Sequence, residues 1–316
     1  MRRDFRETAL NVFRHQFDKN PLYGQFCRLM GRNPDNVAQL TEIPFLPVSF
    51  FKTHNVISGN GTPEAVFESS CTTGDIPARH AVLDLGIYEK SLISGFEAVY
   101  GPAADFAFLA LLPSYIERPN ASLVHMVQCL MNAGKHPENG FYTDDYEGLA
   151  QVMPKLRLEG RKTMLFGVTF ALLEFAERFG GDYSGITVLE TGGMKGRRNE
   201  MTREAVHEEL QRKMNLNAVH SEYGMTELLS QAYSTGEGIF RCASTMKVRV
   251  RDPNDPRDLS LHGGGCLNII DLANINSCSF IATDDLGTIY GDGSFEVTGR
   301  KDHADLRGCN LMFFQG

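Results

Sequence analysis

The chain has 316 residues, 42% hydrophobic and 22% charged, with 31 Gly and 13 Pro, the balance of a soluble globular enzyme with apolar material for a large core. A formal net charge of −8 without any Lys/Arg-rich tract argues against a nucleic-acid surface, so a bound anion is expected to be held by local backbone and a few chosen cations. No apolar run approaches the roughly 20 residues of a membrane span, and "MRRDFRETAL" has arginines with no apolar stretch behind them; no membrane span and a cytoplasmic location are expected.

Residues 6–18, "RETALNVFRHQFD", put Ala9, Leu10, Val12, Phe13 and Phe17 on one helical face, an amphipathic helix suited to packing. "EIPFLPVSFFKTH" (42–54) carries two prolines in an apolar run, which forbids a regular helix and predicts an extended segment laid on the core. "FAFLALL" (106–112), "TMLFGV" (163–168) and "ITVLET" (186–191) are short, nearly continuous apolar runs, the pattern of parallel strands buried on both faces. Helical stretches lie between and after them at 121–134, 169–180 and 201–215, giving the strand–helix alternation of an α/β domain. Beyond about residue 235, "TMKVRVRD" (245–252) alternates Met246, Val248 and Val250 against Lys247, Arg249 and Arg251, a half-exposed antiparallel strand, and Gly-rich turns follow at 263–265 and 291–293. The expected organisation is an N-terminal helical and extended segment packed on the core (1–60), an α/β nucleotide-binding core (61–235) and a small β-rich lobe ending in a hinge-like motif (236–313). The closing 314–316 belong to "FFQG", which resembles a tag remnant.

The seven cysteines, Cys27, Cys71, Cys129, Cys242, Cys266, Cys278 and Cys309, are odd in number, with no CxxC and no metal-ligand spacing, and read as reduced thiols. His54, His80, His125 and His220 show no metal spacing either and read as capping or surface residues, His220 being the partial exception because it lies just before "SEYG".

In "SSCTTG" (69–74) the hydroxyls of Ser69, Ser70, Thr72 and Thr73, with amides around Gly74, can wrap a phosphate; alone, the stretch reads equally as a polar loop satisfying its own turn. "SEYGMTE" (221–227) joins an aromatic ring, a glycine, a threonine and a carboxylate: Tyr223 can stack on a base, Thr226 can bond phosphate and Glu227 can ligate magnesium. "TDDLG" (283–287) sets acids before a turn, and "GRKDHADLRG" (299–308) adds Arg300.

These four blocks, in this order, resemble the adenylate-forming enzymes, which use ATP to turn a carboxylate into an acyl-AMP. "IPFLPVSFFK" (43–52), "TGGMKGRRNE" (191–200), "DLANINSCSFIATDDLG" (271–287) and "LRGCNLM" (306–312) resemble more narrowly the LuxE-type acyl-protein synthetases, the resemblance running from about residue 40 to 313. It implies the adenylate-forming large-domain α/β fold, mainly parallel sheets flanked by helices plus a small C-terminal β-rich lobe. It also implies ATP and Mg2+ as cosubstrates and a fatty or other carboxylic acid as substrate, with an acyl-acceptor or reductase protein as partner. Ser70, Thr72, Thr73 and Gly74 then belong to the phosphate loop and Gly192 and Gly193 to the adenine-side turn. Tyr223 and Gly224 flank adenine, Thr226 touches phosphate, Glu227 holds the metal, and Asp285 bonds ribose beside Arg300.

Cys71 stands where the family's phosphate loop carries glycine. The chain stops soon after "GRKD", so the family's mobile domain and its catalytic lysine are expected to be absent. Lys195, Arg197 and Arg198 are the cations available in its place, against a default reading as a solvated turn. Cys309, beside Arg307 on a Gly-flanked segment, matches the near-terminal cysteine that carries the acyl group in the LuxE-type family, and a neighbouring cation favours the thiolate. Cys27, Cys129, Cys242, Cys266 and Cys278 read as small buried hydrophobes. Tyr115, in "LLPSYIERPNAS" (111–122), leaves a strand where α/β sheets form their crevice and reads as a pocket or capping-loop residue. Two alternatives stand beside acyl activation: a nucleotide-binding scaffold subunit with reduced catalysis, and a phenylacetate-type carboxylate–CoA ligase.

Overall fold

A computed structural model of the chain describes residues 4–70, 76–113, 120–192, 201–255 and 257–301. Its first helix, α1 (Phe5–Lys19), starts where the Asp4 carboxylate accepts from the Arg6 N–H, and buries Ala9, Leu10, Val12, Phe13 and Gln16. Asn20 both ends α1 and caps α2 (Pro21–Leu29), accepting from the Tyr23 N–H, with Pro21 in the first turn where its missing N–H leaves no bond unmade. The proline-containing segment forms β1 (Leu46–Pro47) and then one turn of helix, α3 (Phe50–Thr53). It is extended as expected up to the second proline and helical only after it.

β2 (Ala65–Glu68) and β3 (Arg79–Val82) form an antiparallel pair. After them come α4 (Leu85–Tyr100), β4 (Phe106–Leu111), α5 (Ser122–Gly134), β5 (Gly140–Phe141), α6 (Tyr146–Leu158), β6 (Lys162–Gly167), α7 (Thr169–Arg178), β7 (Ile186–Glu190), α8 (Arg203–Met214) and β8 (Val219–Tyr223). β5, β4, β6, β7 and β8 pair in that order, all parallel. Every residue of β4 is buried, which is why it reads as a continuous apolar run: helices cover both faces, and each large side chain removed from water contributes about 1.5–3 kcal/mol.

The remaining strands, β9 (Ala232–Ser234), β10 (Ile239–Cys242), β11 (Met246–Arg251), β12 (Leu259–Ser260), β13 (Gly263–Asp271), β14 (Phe280–Ile289) and β15 (Phe295–Arg300), pair antiparallel with their sequence or spatial neighbours. The full order, β12-β11-β13-β14-β15-β10-β9-β8-β7-β6-β4-β5, joins this β-rich region to the parallel strands through β9 and β10, and β1 adds parallel to β14. One apolar cluster fills the space between the parallel strands and α4–α8, and a second joins α1, α2 and residues 37–56 to β10–β15. The buried Gln16 amide locks the second: its Nε2 donates to the Asn274 carbonyl at 2.8 Å and its Oε1 accepts from the Ser279 N–H at 2.9 Å.

β11 departs from the half-exposed strand predicted for it. Lys247 is exposed, but Arg249 is buried, its Nη1 donating to the Val248 carbonyl, and Arg251 reaches Asn268 Oδ1 and the Thr283 carbonyl. The alternation survives, while packing covers the face that periodicity alone assigns to solvent. No helix among the described residues is long and apolar enough to cross a membrane.

Candidate active site

In an α/β sheet the ligand crevice forms beyond the carboxyl ends of the parallel strands. Here β6, β7 and β8 end side by side, Gly167 opposite Glu190 and Glu190 opposite Ser221. The Thr169 hydroxyl, in the first turn of α7, donates to Glu190 Oε1, and the Gly192 N–H donates to the same oxygen at 2.8 Å. The Gly192 carbonyl accepts from the Thr169 N–H at 3.1 Å. Gly192 adopts φ +78°, a left-handed conformation that a Cβ would strain, so the turn after β7 needs glycine there. The N–H of Gly192 is thereby committed to Glu190 rather than open to a ligand.

One strand over, β8 presents Glu222, half-buried, with its carboxylate lying over Gly224 where any side chain at 224 would collide with it. Burial first, and then the nearby Glu190 charge, push the Glu222 carboxyl up to about 8. Tyr223 points to the opposite face. Its ring is buried edge-on against Phe240 and Phe295, at centroid distances of 5.9 and 5.4 Å, and its hydroxyl donates to Asp285 Oδ2 at 2.8 Å. Tyr223, read from the sequence as a residue that stacks on or flanks adenine, is thus packed between β8 and the β-rich strands and bonded to Asp285.

Asp285 stands on β14 opposite Arg300 on β15, whose Nε lies 3.3 Å from Asp285 Oδ1. Asp285 is 9% exposed and the Arg300 side chain 67%, so the carboxylate is a buried anchor and the guanidinium a solvent-facing arm. Burial raises the Asp285 carboxyl above its ordinary value, opposed by Arg300 and by the Tyr223 hydrogen bond. A hydrogen bond from Tyr223 and an ion pair with Arg300 thus meet at Asp285 and link the parallel strands to the β-rich region.

The segment from Thr226 to Ser230 is held from behind by buried polar groups. The Thr226 carbonyl accepts from His80 Nδ1 at 2.8 Å, which assigns the proton to that nitrogen, and burial pushes the imidazole down to about 4, so it is neutral. The Glu227 carbonyl accepts from Asn274 Nδ2 at 2.7 Å. Asp271 accepts from the Leu229 and Ser230 N–H groups at 2.7 and 3.0 Å and from the Ser230 hydroxyl at 2.6 Å. The Glu227 side chain itself is 7% exposed, and burial pushes it up to about 7, with Arg300 and Lys52 pulling the other way and Asp285 adding to the rise. Its carboxylate makes no ion pair among the described residues. A buried oxygen donor of this kind, short of positive charge, fits a hard cation such as Mg2+.

At the other border, the Ser69 N–H donates to the Ala78 carbonyl and the Ser69 hydroxyl accepts from the Ala78 N–H, so Ser69 closes the base of the loop after β2, next to half-buried Ser70. Cys71, Thr72, Thr73, Gly74, Tyr115, Gly193, Lys195, Arg197, Arg198 and Cys309 lie outside the described residues. The fold therefore brings Tyr223, Gly224, Thr226, Glu227, Asp285 and Arg300 to one edge, with Gly192 beside it. Glu190, Glu222, Thr169, His80, Asp271 and Asn274 are supporting residues that the sequence reading missed. "DLANINS" (271–277), quoted only for its resemblance, already contained two of them. His80, read as a capping or surface residue, is fully buried. His220 is half-buried, its Nδ1 3.2 Å from the Tyr100 hydroxyl. Cys27, Cys266 and Cys278 are buried as expected, whereas Cys129 and Cys242 are only partly so.

No family model matches the sequence, and no curated protein does. The structure is similar to ATP-bound MatB from Rhodopseudomonas palustris, with TM-score 0.53 and 16% identity over 76% of this chain and 49% of that one. It is similar to the luciferase-like enzyme of the nonluminescent mealworm Zophobas morio, with TM-score 0.52 and 17% identity over 78% and 60% of the two chains. A long-chain-fatty-acid–CoA ligase from Archaeoglobus fulgidus matches with TM-score 0.52 and 17% identity over 78% and 53%. The chain spans between about half and three-fifths of the length of these neighbours. With the parallel strands, the crossover helices and the β-rich extension in place, the likeness identifies the architecture as the adenylate-forming large-domain α/β fold.

Proposed function

We propose that the protein activates a carboxylic acid with ATP. The acid's carboxylate oxygen attacks the α-phosphorus, the bond to the β-phosphate oxygen breaks, and acyl-AMP and pyrophosphate form. The observation that carries this reading is that Glu227, just beyond β8, Asp285, within β14, and Arg300, at the end of β15, lie close enough for their charges to act on one another, on a backbone held by His80, Asn274 and Asp271. Asp285 offers lone pairs to a ribose diol and Arg300 supplies a solvent-exposed cation. Glu227 is the residue that would hold Mg2+, which when bound neutralises charge on the phosphates. Thr226 offers its hydroxyl to a phosphate, its carbonyl being fixed by His80. In the second step the Cys309 thiolate attacks the acyl carbonyl, AMP leaves, and the thioester passes the acyl group to a protein or small-molecule acceptor. A fatty acid is the substrate class that the LuxE-type resemblance favours.

The test is acid-dependent pyrophosphate–ATP exchange across a panel of carboxylic acids. Exchange with at least one acid is expected, and Glu227→Gln should lower it tenfold or more, about 1.4 kcal/mol of transition-state stabilisation. Exchange unchanged in folded Glu227→Gln removes Glu227 from the site. ATP binding by calorimetry without exchange for any acid replaces the enzyme reading with the nucleotide-binding scaffold.

A further inference from the structure

Where α4 packs against α5, three side chains with ligating atoms meet. Glu89 projects from α4, and His125 and Cys129 sit four residues apart on α5, hence on one face of that helix. His125 Nε2 lies 3.4 Å from Cys129 Sγ and 3.5 Å from Glu89 Oε1, and Cys129 Sγ lies 3.7 Å from the same Glu89 oxygen. We propose that Glu89, His125 and Cys129 form a binding site for a divalent cation of zinc type, with solvent completing a tetrahedron.

With Zn–N and Zn–O of about 2.0 Å and Zn–S of about 2.3 Å, tetrahedral angles set N and S, and likewise S and O, about 3.5 Å apart, and N and O about 3.3 Å apart. The three observed separations agree with these edges to about 0.2 Å without any rearrangement. The ligand set has the borderline-soft character that selects zinc over magnesium or calcium. One imidazole, one carboxylate and one thiolate give a neutral complex with a dication, the thiol proton passing to solvent on binding.

The imidazole is also held in place. Its ring stacks on Tyr88 at 5.5 Å and packs against Phe67 at 5.5 Å, so little rotamer freedom is lost when Nε2 takes a metal. Glu89, 48% exposed, leaves an entry path and an open side for water. Occupied, the site ties α4 to α5 beside Phe67 of β2, the strand that leads into "SSCTTG". The Glu68 N–H on that strand already donates to the Asn120 carbonyl just ahead of α5, at 2.9 Å. Sequence spacing conceals this constellation because Glu89 comes from a different helix.

The experiment is Co2+ titration of the full chain after chelator dialysis, read by absorption. One equivalent of Co2+ should produce a thiolate-to-cobalt charge-transfer band in the near ultraviolet with intense visible bands of a tetrahedral ion, and Zn2+ should abolish both. Cys129→Ser should lose the charge-transfer band, and His125→Ala and Glu89→Gln should each weaken Co2+ binding at least tenfold. A hard-cation site at Glu227 gives no thiolate band and is thereby distinguished. Because a variant can fail to fold, the wild-type protein provides a second readout: Zn2+ should slow alkylation of Cys129, followed by peptide mass spectrometry, at least tenfold. No charge-transfer band in the wild type, a band that survives in Cys129→Ser, or alkylation of Cys129 indifferent to Zn2+ each overturns the proposal.

Discussion

Glu222→Gln separates burial from charge at the end of β8. The wild-type carboxyl is pushed from about 4.5 to about 8 by burial and by the Glu190 charge, so the folded protein keeps a proton that the unfolded chain has released throughout that window. Below about pH 4.5 both states are protonated and Glu222 costs nothing. As pH rises toward 8 the unfolded state is increasingly favoured, and beyond it both states are ionised and the penalty is constant. At roughly 1.4 kcal/mol for each pH unit of that interval, the ceiling is about 5 kcal/mol. The half-buried side chain retains some water, which lowers the expected penalty to roughly 1–3 kcal/mol. Glutamine copies the protonated acid in shape and charge. The variant should match wild type in urea unfolding at pH 4.5 and exceed its stability by about 1–3 kcal/mol at pH 8, measured by circular dichroism at half-unit intervals. Glu227, Asp285 and Asp271 also have raised carboxyls, but they titrate in both proteins and drop out of the difference curve. A flat difference between pH 4.5 and 8 refutes the reasoning, because Glu222 would then ionise as it does in water.

Asp285→Ala removes the anchor shared by Tyr223 and Arg300 and, under the proposed ribose-binding role, should raise the KM for ATP more than it lowers kcat, since such contacts are made in ground and transition states alike; a fall in kcat alone contradicts that role. Cys309→Ala should leave pyrophosphate exchange nearly intact while abolishing covalent labelling by radioactive acid plus ATP, and full labelling of that variant places the acyl carrier elsewhere. In Gly287→Ala the new Cβ would land on the Glu296 carbonyl oxygen and come within 3.1 Å of Leu267 Cδ1, so β14 and β15 must separate close to Asp285. A loss of about 1–3 kcal/mol by denaturant unfolding is expected, and a loss below about 0.5 kcal/mol shows that the strands accommodate the methyl.

Local pattern determined much of this protein. The apolar runs at 106–112, 163–168 and 186–191 became β4, β6 and β7, paired in parallel as their two-sided hydrophobicity requires, and the amphipathic stretch at 6–18 became α1. α4 and α6 went unread: in α6 Pro154 sits inside the helix and blurs the helical signal. "SEYGMTE" and "TDDLG" drew attention as sequence because glycines, hydroxyls and acids are visible residue by residue, and the fold brings Tyr223 of the first against Asp285 of the second. What those side chains do there was decided in three dimensions. That Tyr223 reaches Asp285 across 62 residues, that the backbone of Thr226 rests on His80, that Arg249 is covered and that Cys129 faces Glu89 all depend on which element packs against which. Burial is a property of the neighbours a residue acquires, and desolvation is what raises Glu222 and Glu227 toward neutrality and keeps His80 uncharged. Sequence fixes only near neighbours along the chain, so the chemical types at the site were legible in it, and their protonation and partners were not.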